Sequence, residues 1–313
     1  LPGLKAAAEA GPVIPVYILD TELGEEWRLG SASQWWLHHS LVALRAALAA
    51  QGVELILRAG NIATNLVDLV KETGASHIYC SRHYQPWAES LELNVREAVT
   101  AVGATLKRYP GTLLHEPETV ATGSGTPFKV FTPFWRACNR LHQPSHPTPV
   151  PDLLPFQQTL QSEDLDDWQL TPKSPNWAFG WNDLWQPGEV GGQAALAQFL
   201  SNHVQNYSHG RDIPAEPNTS RLSPYLRFGN ISPRQVWHAA QATKIERHTE
   251  ADAIDKFLSE LGWREFCYHL LFHFPSMPDE AFNPKFSFFP WAEDAARLKA
   301  WQAGLTGYPI VDA

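Results

Sequence analysis

The run Val13-Ile14-Pro15-Val16-Tyr17-Ile18-Leu19 closes on Asp20, and its reading decides the fold. It is apolar throughout, rich in branched and aromatic residues, and too short for a buried helix, so it reads as a buried strand. Working outward, Ser31 opens a helical stretch through Ala50 that Gly52 closes. Val53–Leu57 is a second strand, Thr64–Lys71 a helix, and His77-Ile78-Tyr79-Cys80 a third strand. A helix over Trp87–Val102 leads to a fourth strand, Thr105–Tyr109. This alternation predicts an α/β doubly wound parallel sheet with ligands near the strand C-terminal ends. No G-x-G-x-x-G follows a strand, and Gly123-Ser124-Gly125 reads as a turn.

From about His142 to Gly188 proline is frequent, with Pro144, Pro147, Pro149, Pro151 and Pro155 close together. That composition predicts a long linker over the surface. Helical periodicity returns at Ala194–Val204, again at Val236–Ala242, and strongly at Ala253–Phe272. No strand pattern follows Gly192, so the C-terminal part is expected to be all-helical.

Two segments of that part carry chemistry. Thr219-Ser220-Arg221-Leu222-Ser223 precedes Pro224-Tyr225-Leu226-Arg227-Phe228-Gly229. Thr219 or Ser220 is expected as a helix N-cap, leaving unpaired N–H groups at a positive helix end that suit a pyrophosphate. An ordinary cap beside a surface arginine is the plain alternative. In Glu260-Leu261-Gly262-Trp263-Arg264, the residues Glu260, Trp263 and Arg264 stand i, i+3, i+4 on one helical face. A displaced base could stack on Trp263 while Glu260 accepts hydrogen bonds from its edge. Alternatively, Glu260 and Arg264 form a surface ion pair and Trp263 belongs to the core.

At 313 residues the chain is long enough for about two domains. Its net charge of −9 opposes binding to phosphate, so nucleic acid would need a local basic patch. Arg211, Arg221, Arg227, Arg234 and Arg264 supply one in the C-terminal half. Cys80, Cys138 and Cys267 are far apart, which argues against a zinc site or disulfide framework and fits a reducing cytoplasm. No apolar run reaches membrane-spanning length.

In order along the chain, Lys129-Val130-Phe131-Thr132-Pro133-Phe134-Trp135, Tyr207 before Gly210-Arg211-Asp212, Thr219 to Gly229, and Ile231-Ser232-Pro233-Arg234-Gln235 form a recognisable series. Trp263 to Phe266, Ala300-Trp301-Gln302 and Thr306-Gly307-Tyr308-Pro309-Ile310-Val311-Asp312-Ala313 complete it. The series resembles the photolyase/cryptochrome family, and within it the class I cyclobutane pyrimidine dimer photolyases. The resemblance implies an antenna-type α/β domain over 1–130 lacking its first strand, a Pro-rich linker over 131–188, and an incomplete helical FAD-binding domain over 189–313. It further implies a chain truncated at both ends.

The resemblance also implies roles. Tyr207, Thr219, Ser220, Arg221, Leu222 and Ser223 match the stretch that wraps FAD, and Arg264 a residue near the flavin. Glu260 and Trp263 match the residues that receive a flipped dimer from damaged DNA. Trp291 matches the outermost tryptophan of an electron-transfer chain. The implied activity is light-driven repair of pyrimidine dimers by reduced FAD, a carbon–carbon lyase reaction, in a monomer needing no metal or membrane. A cryptochrome photoreceptor or a (6-4) photolyase is the alternative. An antenna chromophore, deazaflavin or folate, would lie by the loop Ser81–Ala88, where Trp87-Ala88 replaces the Asn-Glu pair of folate-binding relatives. His83 there reads as a solvated loop residue.

Overall fold

A computed structural model of the chain describes residues 1–24, 27–141 and 143–312. His142, the expected start of the proline-rich stretch, and Ala313, the last residue of the final motif, lie outside them. The chain forms two compact units, Leu1–His273 and Phe274–Ala313.

In the first unit the order is α1 (Pro2–Ala10), β1 (Val16–Leu19), α2 (Ser31–Ala49), β2 (Ile56–Ala59), α3 (Ile62–Thr73), β3 (His77–Ser81), α4 (Ala88–Ala101), β4 (Thr105–Tyr109) and α5 (Phe131–Cys138). Then come α6 (Trp181–Leu184), α7 (Glu189–Asn202), α8 (Tyr207–Gly210), α9 (Ser223–Arg227), α10 (Pro233–Glu246) and α11 (Ala251–His273). The expected alternation is present, and no strand follows residue 192 among the described residues. Helix α1 carries no expectation from periodicity; its alanines favour helix and Pro2 suits its first turn. It packs on β3 and β4 through Gly3, where a Cβ would lie 3.5 Å from the Tyr109 ring.

The parallel pairing is as expected, but the described ladder is two pairs and not one sheet. β1 runs parallel to β2 with Val16 opposite Ile56, and β3 parallel to β4 with His77 opposite Thr105. β1 is accordingly half-buried along its length. Strand β2 begins later than expected, because Val53 and Leu55 are buried as irregular chain before it.

The proline-rich stretch is not a surface linker. Leu153, Leu165 and Leu170 are buried in one cluster with Val13, Leu41 and Leu57. Its backbone is anchored as well. The Leu57 N–H donates to Ser162 Oγ at 2.9 Å, the Glu163 N–H to the Leu57 carbonyl at 2.8 Å, and the Ala59 N–H to Glu163 Oε1 at 2.9 Å. These bonds occupy the free edge of β2, which would otherwise expose unpaired groups.

Helix α2 joins the α/β and helical parts. Leu37 and Leu41 face the cluster just described, while Trp35 and Trp36 enter a larger core with Leu196, Phe199, Val236, Phe257 and Leu261. Trp36 Nε1–H donates to Asn230 Oδ1 at 2.9 Å, fixing the turn after α9 to α2.

The second unit holds α12 (Ala295–Gln302) and α13 (Pro309–Asp312). Asp294 caps α12 by accepting from the Ala296 and Arg297 amides, and Asp312 accepts from the Thr306 and Gly307 amides at 2.8 Å each. Phe288, Trp291, Tyr308 and Ile310 are exposed. Among the described residues no helix is long and apolar enough to cross a membrane, and no His, Cys, Asp and Glu group could hold a metal.

Candidate functional site: the exposed face of a central helix

Helix α11 is the long element of the helical part, and Ile254, Phe257, Leu258, Leu261 and Phe266 bury its inner side. Gly262 makes close packing possible. A Cβ there would fall 2.6 Å from the Trp135 ring, so α5 lies against α11 at a contact a larger residue would block.

That approach shapes the surface beside it. Phe131, the first residue of α5, lies flat on Trp263, with ring centroids 3.8 Å apart and planes 10° from parallel. Trp263 is nevertheless 43% exposed. It is therefore not core: one face rests on Phe131, Phe266 packs edge-on to it, and the remainder is open to solvent. This arrangement is a platform on which another flat ring can stack.

Glu260, one turn earlier, is half-buried and pairs with Arg211 and, at 3.4 Å, with Lys256. The alternative Glu260–Arg264 pair is not formed. Arg264 turns inward instead and donates to the Thr112 carbonyl at 2.8 Å, its guanidinium 4.9 Å from the Tyr268 ring centroid. Tyr207 is buried against Phe199 and Phe257, under the Arg211 guanidinium. Burial raises its hydroxyl pKa, so it stays a neutral donor.

The Thr219–Ser223 segment departs from the expected capped helix. Helix α9 begins at Ser223, and its N-cap is Leu222, which lends no side-chain bond. The sequence is locally diverted because Arg221 adopts a left-handed φ of 54°, an unusual conformation for a residue with a side chain. That turn sends Leu222 into the core and lays the Arg221 guanidinium 4.0 Å from the Trp185 ring centroid. Ser220 Oγ accepts from the Leu222 N–H at 3.5 Å. Thr219 and Ser223 are exposed, and among the described hydrogen bonds neither hydroxyl has a partner. Exposed hydroxyls beside an uncapped helix start fit an anionic phosphate chain. Leu222 and Phe257 share one core, which ties this segment to the α11 platform. One open cleft lies elsewhere, walled by Arg45, Glu54 and Glu163, and another, walled by His39, Asp183 and Trp185, adjoins this segment through the Trp185 ring.

Trp291 belongs to the second unit. It is exposed, its indole N–H donates to the Phe286 carbonyl at 3.3 Å, and its ring centroid is 4.6 Å from that of Phe289. At the loop after β3, Arg82 pairs with Glu116 and Glu118, and Tyr84 is buried with its hydroxyl donating to Glu116 at 2.7 Å. His83 is exposed, as expected.

One group of α11 went unread in the sequence. Glu265 is 2% exposed; its Oε2 accepts from the Leu114 N–H at 2.8 Å and the His115 N–H at 3.2 Å. Burial pushes its carboxyl up to about 7, against the lowering effects of Arg264 and the two amides. His269 is buried too. Its Nε2 accepts from the Phe128 N–H at 3.1 Å, and burial lowers its pKa to about 4. Their spacing one turn apart, in a segment with an aromatic face, was the available signal.

Comparison with known proteins decides the lineage. The family model for DNA photolyase matches residues 2–152, and that for the FAD binding domain of DNA photolyase matches residues 257–313. The chain belongs to the photolyase/cryptochrome family. It is 43% identical over 311 residues to a deoxyribodipyrimidine photo-lyase of Agrobacterium fabrum, covering 99% of this chain and 64% of that protein. It is 33% identical to cryptochrome-1 of Arabidopsis thaliana, covering all of this chain and 47% of that protein. A crystal structure of a bacterial class III photolyase from Agrobacterium tumefaciens superposes with a TM-score of 0.93 at 43% identity, over 99% of this chain and 64% of that one. The photolyase fold, an N-terminal photolyase domain with a helical FAD-binding domain, is thereby established. The FAD-domain match takes in Glu260, Trp263 and Arg264 and begins after the Thr219–Ser223 segment.

Proposed function

We propose that this chain is part of a light-driven DNA-repair lyase that binds FAD and a pyrimidine dimer flipped from DNA. The observation that carries the reading is the half-open Trp263 ring, seated on Phe131, with Glu260 one turn before it. A flipped base gains roughly 1–3 kcal/mol by stacking on such a ring. A dimer, already poorly stacked in duplex, costs least to extrude. Domains over 1–130, 131–188 and 189–313 are proposed on the same family grounds.

For the cofactor, Thr219, Ser220 and Ser223 would present hydroxyls to the phosphates. Arg221 would provide positive charge, and Leu222 with Tyr207 would border the site, whereas Arg264, expected near the flavin, is engaged by the Thr112 carbonyl and Glu265. When bound and reduced, FAD supplies the electron that light transfers to the dimer. The chain's own residues hold the two partners and keep water from Tyr207 and the core behind it. Trp291 is proposed as a redox-active tryptophan. The 43% identity to a class III photolyase favours that class over class I, and the lower identity to a cryptochrome favours repair over signalling. The loop after β3 offers an antenna little, because Arg82, Tyr84, Glu116 and Glu118 engage one another.

Fluorescence anisotropy with a thymine-dimer oligonucleotide and an undamaged control tests the reading. Trp263→Ala is expected to weaken binding to the dimer by about tenfold to a hundredfold, with the control unchanged. Equal dimer affinity in both proteins overturns the assignment of the platform.

A further inference from the structure

The segment between β4 and α5, residues 110–130, has little regular structure beyond one short 3₁₀ turn at Pro117–Thr119. Yet four side chains of α11 engage its backbone. Arg264 donates to the Thr112 carbonyl at 2.8 Å. Glu265 accepts from the Leu114 and His115 amides. His273 Nε2 lies 3.3 Å from the Pro117 carbonyl, and His269 Nε2 accepts from the Phe128 N–H. Glu265, His269 and His273 recur every four residues, so they form one stripe along the helix.

The last of these anchors matters most. Phe128 stands three residues before Phe131, and the N-cap of α5, Val130, is 61% exposed and gives no side-chain cap. The start of α5 is therefore fixed by a residue just before it, Phe128, which is held by the bond to His269 outside the helix and by edge-on packing against Phe134 within it. Phe131 is the residue this start delivers beneath Trp263.

We propose that His269, with Glu265 and His273, forms a clasp that positions Phe131 and so fixes the orientation of the Trp263 ring. His269 touches neither ring of the stack and acts through the Phe128 amide, so it is a positioning residue. The inference rests on the reading of Trp263 as a stacking platform, and it explains how that platform stays flat while exposed. Imidazole suits the task because its Nε2 accepts a hydrogen bond only when the ring is neutral, and burial keeps it neutral.

Hydroxyl-radical footprinting with peptide mass spectrometry, applied to the full chain without DNA, reads the stack directly. His269→Phe keeps a ring of similar size but removes the acceptor. Oxidation of Phe131 is expected to rise about threefold and that of the already half-open Trp263 by at most about twofold, with Trp36 in the other core unchanged. His269→Gln, whose carbonyl can accept from Phe128, is expected to restore the original pattern. Unchanged oxidation in a folded His269→Phe protein overturns the proposal, as does an equal rise in both variants. Amide exchange in the unaltered chain gives a second test needing no variant. The Phe128 amide is expected to be as protected as those of Leu114 and His115, and fast exchange at Phe128 overturns the clasp. Neither readout involves DNA, so failure of the dimer-binding test leaves both interpretable.

Discussion

Glu265→Gln separates the effect of charge from that of shape at the most buried carboxyl among the described residues. Glu265 takes three donors, the Leu114 and His115 amides and Arg264 Nη1 at 3.3 Å, yet its carboxyl is pushed up to about 7. Desolvation therefore outweighs all three. The folded-state value lies above that of the unfolded chain. Between those values the folded protein holds a proton that the unfolded chain has released, so stability falls as pH rises. The contribution is complete below about pH 4.5 and lost above about pH 7. At about 1.4 kcal/mol per pH unit, the whole change is about 3 kcal/mol.

His269 has the opposite sign, since its depressed value makes the unfolded chain the better proton acceptor and stability falls in acid between about pH 6.5 and 4. A single pH profile mixes the two. The difference between wild type and Glu265→Gln cancels His269 and isolates Glu265. Urea denaturation of both proteins from pH 4.5 to 8.5, followed by circular dichroism, gives that difference. Wild type is expected to lose about 3 kcal/mol relative to the Gln protein across the range. A constant difference would refute the claim that desolvation governs this carboxyl.

Other substitutions probe the packing. Gly262→Ala should destabilise by about 1–3 kcal/mol, measured by urea denaturation, because the new methyl meets the rigid Trp135 ring. Leu165→Ala, in the proline-rich stretch, should cost about 2–5 kcal/mol, as expected for a residue 2% exposed and unlike one in a solvated linker. Cys267 should react with maleimide in the native protein while Cys138, buried with its thiol pushed up to about 12, reacts only on unfolding. Mass spectrometry of the labelled peptides distinguishes them.

The elements that were legible in the sequence are those whose burial is periodic. The β4 span agrees to the residue, and α11 was visible from its apolar spacing at Ala253–Phe272. What was not legible depended on partners distant in sequence. Leu153 and Leu165 lie among prolines and show no period, but residues 37–57 give them a surface to bury against. The Thr219–Ser223 segment has the composition of a cap, and the left-handed turn at Arg221 moves the helix start past it. Arg264 and Glu265 face inward because the segment after β4 offers a carbonyl and two amides, more than 140 residues away in sequence.

The pairing of Glu260 bears on recognition. A carboxylate that accepts from a base edge is commonly pictured as waiting for it, but Glu260 already has Arg211 and Lys256. The Lys256 contact is a half-exposed i, i+4 pair, worth at most a few tenths of a kcal/mol, and is readily exchanged. Arg211 is held more firmly, since its guanidinium also lies over the Tyr207 ring. On the proposed reading, a base edge reaching Glu260 would displace the lysine first and share the carboxylate with the arginine. Shared in this way, Glu260 would leave Arg211 fixed between Tyr207 on the proposed cofactor side and Glu260 on the proposed substrate side. On this reasoning Arg211, more than Arg264, links the two halves of the proposed site.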